Sequence, residues 1–185
     1  NLAYRRNDTT ASPLLIITPE TFTNDIIVGQ YERSRTWRRF TSLLKDYPNV
    51  SMLFGASSYD YIRSAEAPSY TARNVDEGLW VESHNSALMI DGSARTEIFH
   101  KSKLVVAVEK TPYPAIFCKI DDMLGGVMGR CVGQDEVSLL TVRNDGISIP
   151  VGCAVCYESV YGEYYTEYIR KGAKAMTIIT NDAWW

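Results

Sequence analysis

The chain has 185 residues, of which 45% are hydrophobic and 22% are charged, and its formal net charge is −3. This hydrophobic fraction excludes an intrinsically disordered chain, and the slightly negative charge offers no basic surface for nucleic acid. The longest apolar runs, such as 13–17, are far shorter than the roughly 20 residues that span a bilayer. Residues 1–12 are polar and do not resemble a signal peptide. We therefore expect one globular domain with no nucleic-acid partner.

Hydrophobic spacing predicts a mixture of strands and helices along the chain. In the clearest helix, Trp37, Phe40 and Leu44 recur at helical spacing, and Pro48 follows. In the clearest hairpin, apolar residues alternate on both sides of a Gly92-Ser93 turn. The predicted elements are a strand at 13–18, a helix at 30–47, a strand at 50–55, a hairpin at 85–99, a strand at 147–156, a helix at 161–171 and a strand at 175–180. Such a mixture is typical of a layered α/β domain.

The stretch 110–145 is long and shows no clear helix or strand pattern. It contains Pro112, Pro114 and a glycine-rich run at 124–129. A loop of this length inside a compact domain is usually functional or mobile. We therefore expect this stretch to be an irregular segment with a functional role.

Cys153 and Cys156 form a CxxC sequence that could indicate a metal or redox site. The pair lies in a predicted strand, where residues three apart point to opposite faces, which suits neither a shared metal nor a disulfide. A redox CxxC would instead open a helix. Because the chain has no second CxxC and two scattered histidines, we expect no metal and no cofactor. We interpret Cys153 as a small buried hydrophobic residue.

Polar residues follow three of the predicted strands. They are Glu20, Cys156 and Asn181-Asp182, and in α/β sheets reactive groups gather at such carboxyl ends. Glu20 has an alternative role as the cap of a helix that would start at Thr21. Cys156 lies between an apolar strand and a predicted helix, where the helix dipole favours a thiolate. The sequence therefore makes Cys156 a candidate nucleophile.

A thiolate nucleophile needs a proton acceptor and a cation that holds the developing oxyanion. His84 and His100 are candidate acceptors, but His100 ends the hairpin strand beside Lys101 and Lys103, and we interpret it as structural. A carboxylate base together with a lysine is the alternative.

Three short motifs resemble the Glu–Lys–Cys triad of the nitrilase, or carbon–nitrogen hydrolase, superfamily. In chain order they are Pro19-Glu20, Phe99-His100-Lys101 and Val155-Cys156-Tyr157-Glu158. The chain more closely resembles the nitrilase-like domain of bacterial apolipoprotein N-acyltransferases, because its KLVVAVEKTPYP segment is similar to that family's KxxLVPxxE. The ITNDAW sequence at 179–184 is likewise similar to the family's SND-x-W. Soluble amidases of the superfamily generally have CYDxRFPE, whereas this chain has CYESVYGE.

This resemblance implies a function and a role for each matched residue. It implies an enzyme that moves a fatty acyl group from a phospholipid, through a thioester on Cys156, to the α-amine of the lipid-modified N-terminal cysteine of an apolipoprotein. Glu20 would be the general base, and Lys101 would stabilise the oxyanion together with backbone N–H groups near Cys156. Such an enzyme would act in lipoprotein maturation.

The resemblance also implies three supporting residues. Glu109 and Glu158 would be acids that position Lys101 and Glu20, and Tyr157 would shape the pocket. Acids and a lysine crowded in a cleft hold one another charged, and the ammonium favours the thiolate form of the neighbouring cysteine.

At the scale of the domain, the resemblance implies an α-β-β-α sandwich that is incomplete at the C-terminal side. Residues 1–185 would form a partial catalytic domain, with an inserted arm at about 110–145 that admits lipid at the membrane face. The alternative is that the apolar residues of this stretch pack on the domain's own core. The family's transmembrane domain would be absent from this chain, and it would anchor the protein in the bacterial inner membrane with the catalytic domain on the periplasmic side.

Two other functions compete with this interpretation. A soluble amidase of the superfamily would use the same triad on small C–N substrates, and the residues after Cys156 and the long 110–145 stretch argue against it. A non-catalytic binding module is disfavoured because Glu20, Lys101 and Cys156 are all present.

Overall fold

The computed structural model describes residues 12–105, 109–110, 112–113, 118, 121, 129–144 and 146–181. Its strands are β1 Leu14–Ile17, β2 Thr23–Ile27, β3 Val50–Arg63, β4 Arg73–Asp76, β5 Leu79–Asp91, β6 Thr96–His100, β7 Leu140–Asn144, β8 Ile147–Val155 and β9 Ala175–Ile179. Its α-helices are α1 Arg35–Leu44 and α2 Gly162–Arg170, and two 3₁₀ turns span Tyr31–Arg33 and Cys156–Val160. Within these residues, no helix is both long enough and apolar enough to cross a bilayer.

The larger sheet is built around the antiparallel pair β3 and β5. These two strands pair from Ser51–Asp91 to Arg63–Leu79. Strands β1 and β2 both run parallel to β3, one beside each half of it. On the other side, β4 and β6 pair with opposite halves of β5. The carboxyl end of β1 therefore lies against the middle of β3.

The smaller sheet contains β7, β8 and β9. Strand β8 is its centre, paired antiparallel to β7 and parallel to β9. Because β8 and β9 run in the same direction, the residues that follow them emerge at one edge of this sheet. Cys156 and Thr180 are these residues.

Two hydrophobic clusters hold four layers together. Helix α1 is capped by Ser34, whose hydroxyl oxygen accepts from the Trp37 N–H at 3.0 Å. The helix packs Trp37, Phe40 and Leu44 on one face of the larger sheet. The opposite face packs against the smaller sheet and α2, whose Tyr164 and Tyr168 join the same cluster. The order α1, larger sheet, smaller sheet, α2 is the expected α-β-β-α sandwich, so the predicted fold class is confirmed.

The elements differ from the sequence-based expectations in several places, and strands β2 and β4 were not predicted. Glu20 does not cap a helix, because Thr21 has a φ of 48° and the chain continues into β2. The 110–145 stretch contains β7, in which Leu140 and Val142 are buried. Cys156 lies outside β8, at the start of a 3₁₀ turn. Much of the predicted arm, including 114–117 and 122–128, lies outside the described residues.

Candidate active site

Glu20 is held at the carboxyl end of β1 by contacts with β3. The Thr18 N–H donates to the Leu53 carbonyl at 2.9 Å. Gly55 of β3 lies so close to the Glu20 backbone that a Cβ there would be 2.6 Å from the Glu20 Cα. The glutamate side chain is consequently directed into the fold, where the residue is 9% exposed.

Lys101 follows β6 and lies beside Glu20 and Glu109. Its backbone N–H donates to the Asn85 carbonyl at 2.8 Å, and the residue is 1% exposed. The Nζ atom is 2.9 Å from Glu109 Oε2 and 3.4 Å from Glu20 Oε1. The structure therefore brings together one ammonium and two carboxylates that are 81 and eight residues away from it in the chain.

Asn85 joins the two carboxylates and was missed by sequence reasoning. Its Nδ2 donates to Glu20 Oε1 at 2.7 Å and to Glu109 Oε1 at 2.6 Å. In the described part of the chain its buried Oδ1 has no hydrogen-bond partner. The available signal was an amide side chain just before the buried apolar run 87–90 of β5, since a buried amide needs partners.

The surroundings of Lys101 favour its charged form. Burial alone would lower the pKa of this ammonium, but the hydrogen bond and charge of Glu109, followed by the charges of Glu20 and of a Cys156 thiolate, raise the pKa above its ordinary value. Lys101 is therefore a cation at neutral pH. A thiolate at Cys156 would add to this effect, because negative charge favours the charged form of an ammonium.

Cys156 lies in a sharp turn directly after β8. Its φ of 54° is in the left-handed region, which is uncommon for a residue with a Cβ. The 3₁₀ turn that follows is five residues long, and α2 begins at Gly162. The residue is half-buried and its thiol is free. Strain of this kind is typical of sites where a side chain must be presented to a ligand.

Glu158 connects the segment of Cys156 to the segment of Lys101. Its carboxylate is fully buried and accepts from the backbone N–H groups of Ser102 at 2.6 Å, Lys103 at 3.0 Å and Val155 at 2.8 Å. The Tyr164 hydroxyl donates to it at 2.9 Å. Burial raises the pKa of Glu158, while these hydrogen bonds oppose the shift. Glu158 thus contacts backbone around Lys101, not the Lys101 or Glu20 side chain.

Tyr157 lies on the surface beside the candidate nucleophile. It is half exposed and packs edge-to-face on Tyr161, with ring centroids 5.5 Å apart. Asn181 follows β9, as expected, whereas Asp182 lies outside the described residues.

The two histidines are bonded to other groups. Their rings stack with centroids 4.1 Å apart. His84 Nδ1 donates to the Val132 carbonyl at 2.8 Å, and His100 Nδ1 is hydrogen-bonded to Ser86 Oγ at 2.8 Å. These bonds support the interpretation of His100 as structural.

Two of the other three cysteines differ from Cys156 in their surroundings. Burial raises the pKa of the Cys153 thiol to about 12. Burial, reinforced by the charge of Glu109, raises the pKa of the Cys131 thiol to about 11. No group of His, Cys, Asp and Glu among the described residues is arranged to hold a metal ion.

Comparisons with known proteins identify relatives and structural neighbours. No protein-family model matches the chain. It is 24% identical over 156 residues to an apolipoprotein N-acyltransferase of Chlorobaculum tepidum, which covers 83% of this chain and 27% of the relative. It is 29% identical over 107 residues to one from Thermotoga maritima, covering 58% of this chain and 20% of the relative. The chain thus spans about a quarter of the length of these relatives.

Solved structures of the nitrilase superfamily share the fold. A Saccharomyces cerevisiae member has a TM-score of 0.57 at 13% identity, covering 90% of this chain and 50% of that one. An amidase from Nesterenkonia sp. AN1, solved with acrylamide added to its active-site cysteine, has a TM-score of 0.51 at 13% identity, covering 91% and 55%. The chain therefore has a partial nitrilase-like fold, and its resemblance to apolipoprotein N-acyltransferases is confirmed.

Proposed function

We propose that this chain carries the catalytic centre of a phospholipid-dependent N-acyltransferase that acts on apolipoproteins. The observation that carries the proposal is the convergence of Glu20, Lys101 and Glu109 around one bridging amide. The Glu158 carboxylate ties the backbone beside Lys101 to the backbone beside Cys156. A cysteine nucleophile requires a base and a cation of this kind. The acyltransferase names of the sequence relatives supply the substrate class.

In the first half-reaction, the Cys156 thiol gives its proton to the Glu20 carboxylate. The thiolate attacks the carbonyl carbon of a phospholipid ester, and Lys101 stabilises the oxyanion of the tetrahedral intermediate. The C–O bond then breaks, and the departing glycerol oxygen takes the proton from Glu20. A lysophospholipid leaves, and Cys156 holds the fatty acyl group as a thioester.

In the second half-reaction, the α-amine of a lipid-modified N-terminal cysteine attacks the thioester carbonyl. Glu20 takes a proton from the attacking nitrogen, and the C–S bond breaks as the amide forms. The Cys156 thiolate recovers the proton from Glu20. Exclusion of water during the acylated stage prevents loss of the thioester by hydrolysis.

The supporting residues fit roles around this chemistry. Glu109 and Asn85 hold Lys101 and Glu20 in their positions. Glu158 fixes the backbone on both sides of the site, and Tyr157 forms part of its rim. Within the proposal, residues 1–185 are part of a nitrilase-like domain with an inserted arm at about 110–145. Transmembrane helices outside this chain would anchor the protein in the bacterial inner membrane, with this domain on the periplasmic side.

The experiment is detection of the acyl-enzyme by mass spectrometry. The complete protein is incubated with phospholipid, and Cys156 should gain the mass of one fatty acyl group, which a lipid-modified peptide amine then removes. Cys156→Ala should abolish the adduct, and Glu20→Gln should slow its formation at least a hundredfold. Glu66→Gln, a change at an exposed residue between β3 and β4, is the matched control.

Because one structural neighbour is an amidase, amide hydrolysis is the result that would contradict the proposal. If phospholipid leaves Cys156 unmodified and a short aliphatic amide is hydrolysed rapidly, the chain is an amidase and the proposal is wrong.

A further inference from the structure

A cavity of about 470 Å³ lies beside the segment that follows Lys101. It is open to the surface, and neither Glu20 nor Cys156 lines it. No step of the proposed reaction takes place in this cavity. Its polar and charged lining residues include Thr71, Lys103, Lys110, Asp135 and Tyr161.

Two lysine side chains give this cavity its charge. Lys103 and Lys110 are both exposed, and neither ammonium is paired with a carboxylate in the part of the chain that the structure describes. Lys103 Nζ lies 5.9 Å from the centre of the Tyr164 ring, which orients its side chain. Among the described lining residues, one carboxylate, Asp135, accompanies the two lysines, so these three side chains carry one excess positive charge.

Tight backbone contacts fix the cavity wall in place. A Cβ on Gly133 would lie 2.7 Å from the Lys101 carbonyl oxygen, so the 131–135 loop packs directly on the Lys101 backbone. The Gln134 Oε1 accepts from the His100 N–H at 2.8 Å. The Cys131 N–H donates to the Glu109 carbonyl at 2.7 Å, which places the residue after Glu109, Lys110, beside the same loop. The segments that carry Lys103 and Lys110 therefore both pack against the 131–135 loop.

The cavity adjoins both segments that carry the proposed chemistry. Ser102, one of its lining residues, follows Lys101 directly, and Tyr161 ends the turn that Cys156 begins. The cavity is therefore bounded by a residue one position after Lys101 and a residue five positions after Cys156 in the chain. In a glycerophospholipid the phosphate and the acyl esters are joined by one three-carbon glycerol unit, so a phosphate site must lie close to the nucleophile.

We propose that this cavity binds the phosphoryl group of the acyl donor, with Lys103 and Lys110 as its cationic ligands. The inference rests on the proposed function, because it names how the donor is recognised at that site. An ammonium binds phosphate as a point charge, and Tyr161 lines the same space as the two lysines. The site selects donors that carry a phosphate over neutral glycerides with the same acyl chains.

The catalytic arm of the test compares two donors with identical acyl chains, a phospholipid and a diacylglycerol. Acylation of Cys156 is followed by intact-protein mass spectrometry in the complete protein. Lys103→Gln and Lys110→Gln should each raise the KM for the phospholipid about tenfold, as expected for loss of one charge-assisted contact. The rate with diacylglycerol should be unchanged, as should all rates in Lys45→Gln, whose exposed lysine lies at the end of α1.

The binding arm measures sn-glycerol 3-phosphate against inorganic phosphate by calorimetry, which needs no turnover. The site is supported if sn-glycerol 3-phosphate binds at least tenfold more weakly to the double lysine variant than to the wild type. If inorganic phosphate binds as strongly as sn-glycerol 3-phosphate, the cavity is a site for free phosphate and the donor role is wrong. Equal binding in wild type and variant, or equal loss of rate with both donors, also overturns the inference. Binding that depends on the lysines without any acylation of Cys156 would leave the phosphate site standing and contradict the proposed acyltransferase function.

Discussion

At the scale of single residues, the surroundings of each cysteine decide its chemistry. Cys156 is half-buried in a strained turn near a buried ammonium. Cys153, three residues earlier, is fully buried, and Cys131 lies against the charge of Glu109. A thiol reacts as its thiolate, so burial and nearby negative charge suppress reactivity.

We therefore predict that alkylating reagents modify Cys156 before Cys131 and Cys153. Acrylamide at pH 8 should label it at least tenfold faster than Cys131 or Cys153, because the raised pKa values of about 11 and about 12 leave those thiols almost fully protonated. Peptide mapping after timed exposure measures the three rates. Labelling of Cys131 as fast as Cys156 would contradict the assignment of Cys156 as the accessible nucleophile.

Asn85 is the residue on which the electrostatics of the site depend. One amide nitrogen donates to two carboxylates that share a single ammonium. We propose that it positions Glu20, because among the described hydrogen bonds it contacts the proposed base and not the proposed nucleophile.

We predict that Asn85→Asp slows acylation of Cys156 at least tenfold at pH 7. A third carboxylate beside Lys101 would force one of the acids to keep a proton, so the acidic limb of the pH–rate profile should move to higher pH. Asn74→Asp, in the exposed strand β4, should leave the profile unchanged. A lower rate with an unshifted profile would mean that the amide has only a packing role.

At the scale of elements, the position of Glu20 depends on a close approach between β3 and the turn after β1. The Cβ of any residue replacing Gly55 would lie 2.6 Å from the Glu20 Cα and 2.8 Å from the Thr21 N. All of the neighbouring atoms belong to backbone, so no side chain can move aside to make room. The turn itself must shift.

We predict that Gly55→Ala lowers both the activity and the stability. Displacing the turn should reduce the acylation rate at least tenfold, while overpacking reduces the free energy of unfolding by about 1–3 kcal/mol. Gly162→Ala is the control, because a Cβ there meets nothing within 4 Å and helix α2 begins at that residue. Urea unfolding and the acylation rate, measured on both variants, separate the two effects.

Sequence patterns predicted the elements with continuous apolar faces and missed short or polar strands. The strands beginning at Leu14 and Val50 and the hairpin around Gly92 were predicted because buried runs and turn residues mark them clearly. Strand β4 was missed because it is short and largely exposed. Strand β7 was missed although Leu140 and Val142 alternate with polar residues, since only five residues carry the pattern.

In the candidate site, the residues within recognisable motifs were predicted, and Asn85 was missed. Glu20, Lys101, Glu109 and Cys156 stand in motifs that a resemblance can match. Asn85 lies within a strand and outside those motifs, and its function depends on contacts with residues 65 and 24 positions away. Only the sheet register brings such partners together.

At the scale of the whole molecule, the site depends on the packing of the two sheets. Glu20 and Lys101 follow strands of the larger sheet, while Cys156 follows a strand of the smaller one. The buried carboxylate of Glu158 connects them through backbone N–H groups on both sides. Any change that loosens the contact between the sheets should therefore reduce activity before it abolishes the fold.

His100 introduces a pH dependence into the stability of this assembly. Its ring is hydrogen-bonded to Ser86 and stacked on His84. Burial, followed by the charge of His84, lowers the pKa of His100 from 6.5 to about 4. The folded state therefore disfavours the protonated ring, whereas the unfolded chain accepts the proton at its ordinary pKa.

We predict that the protein loses about 2 kcal/mol of unfolding free energy through His100 between pH 7 and pH 4.5. In this window the unfolded state binds more protons than the folded state, so stability falls as the pH falls. His100→Gln retains a hydrogen-bonding partner for Ser86 but cannot be protonated, and it should lose correspondingly less stability on acidification. Urea unfolding of the wild type and of His100→Gln at both pH values isolates the contribution of His100. The carboxylates are the same in the two proteins, so their contribution to the pH dependence cancels. Parallel losses would show that the ring is protonated as easily in the folded state as in the unfolded chain.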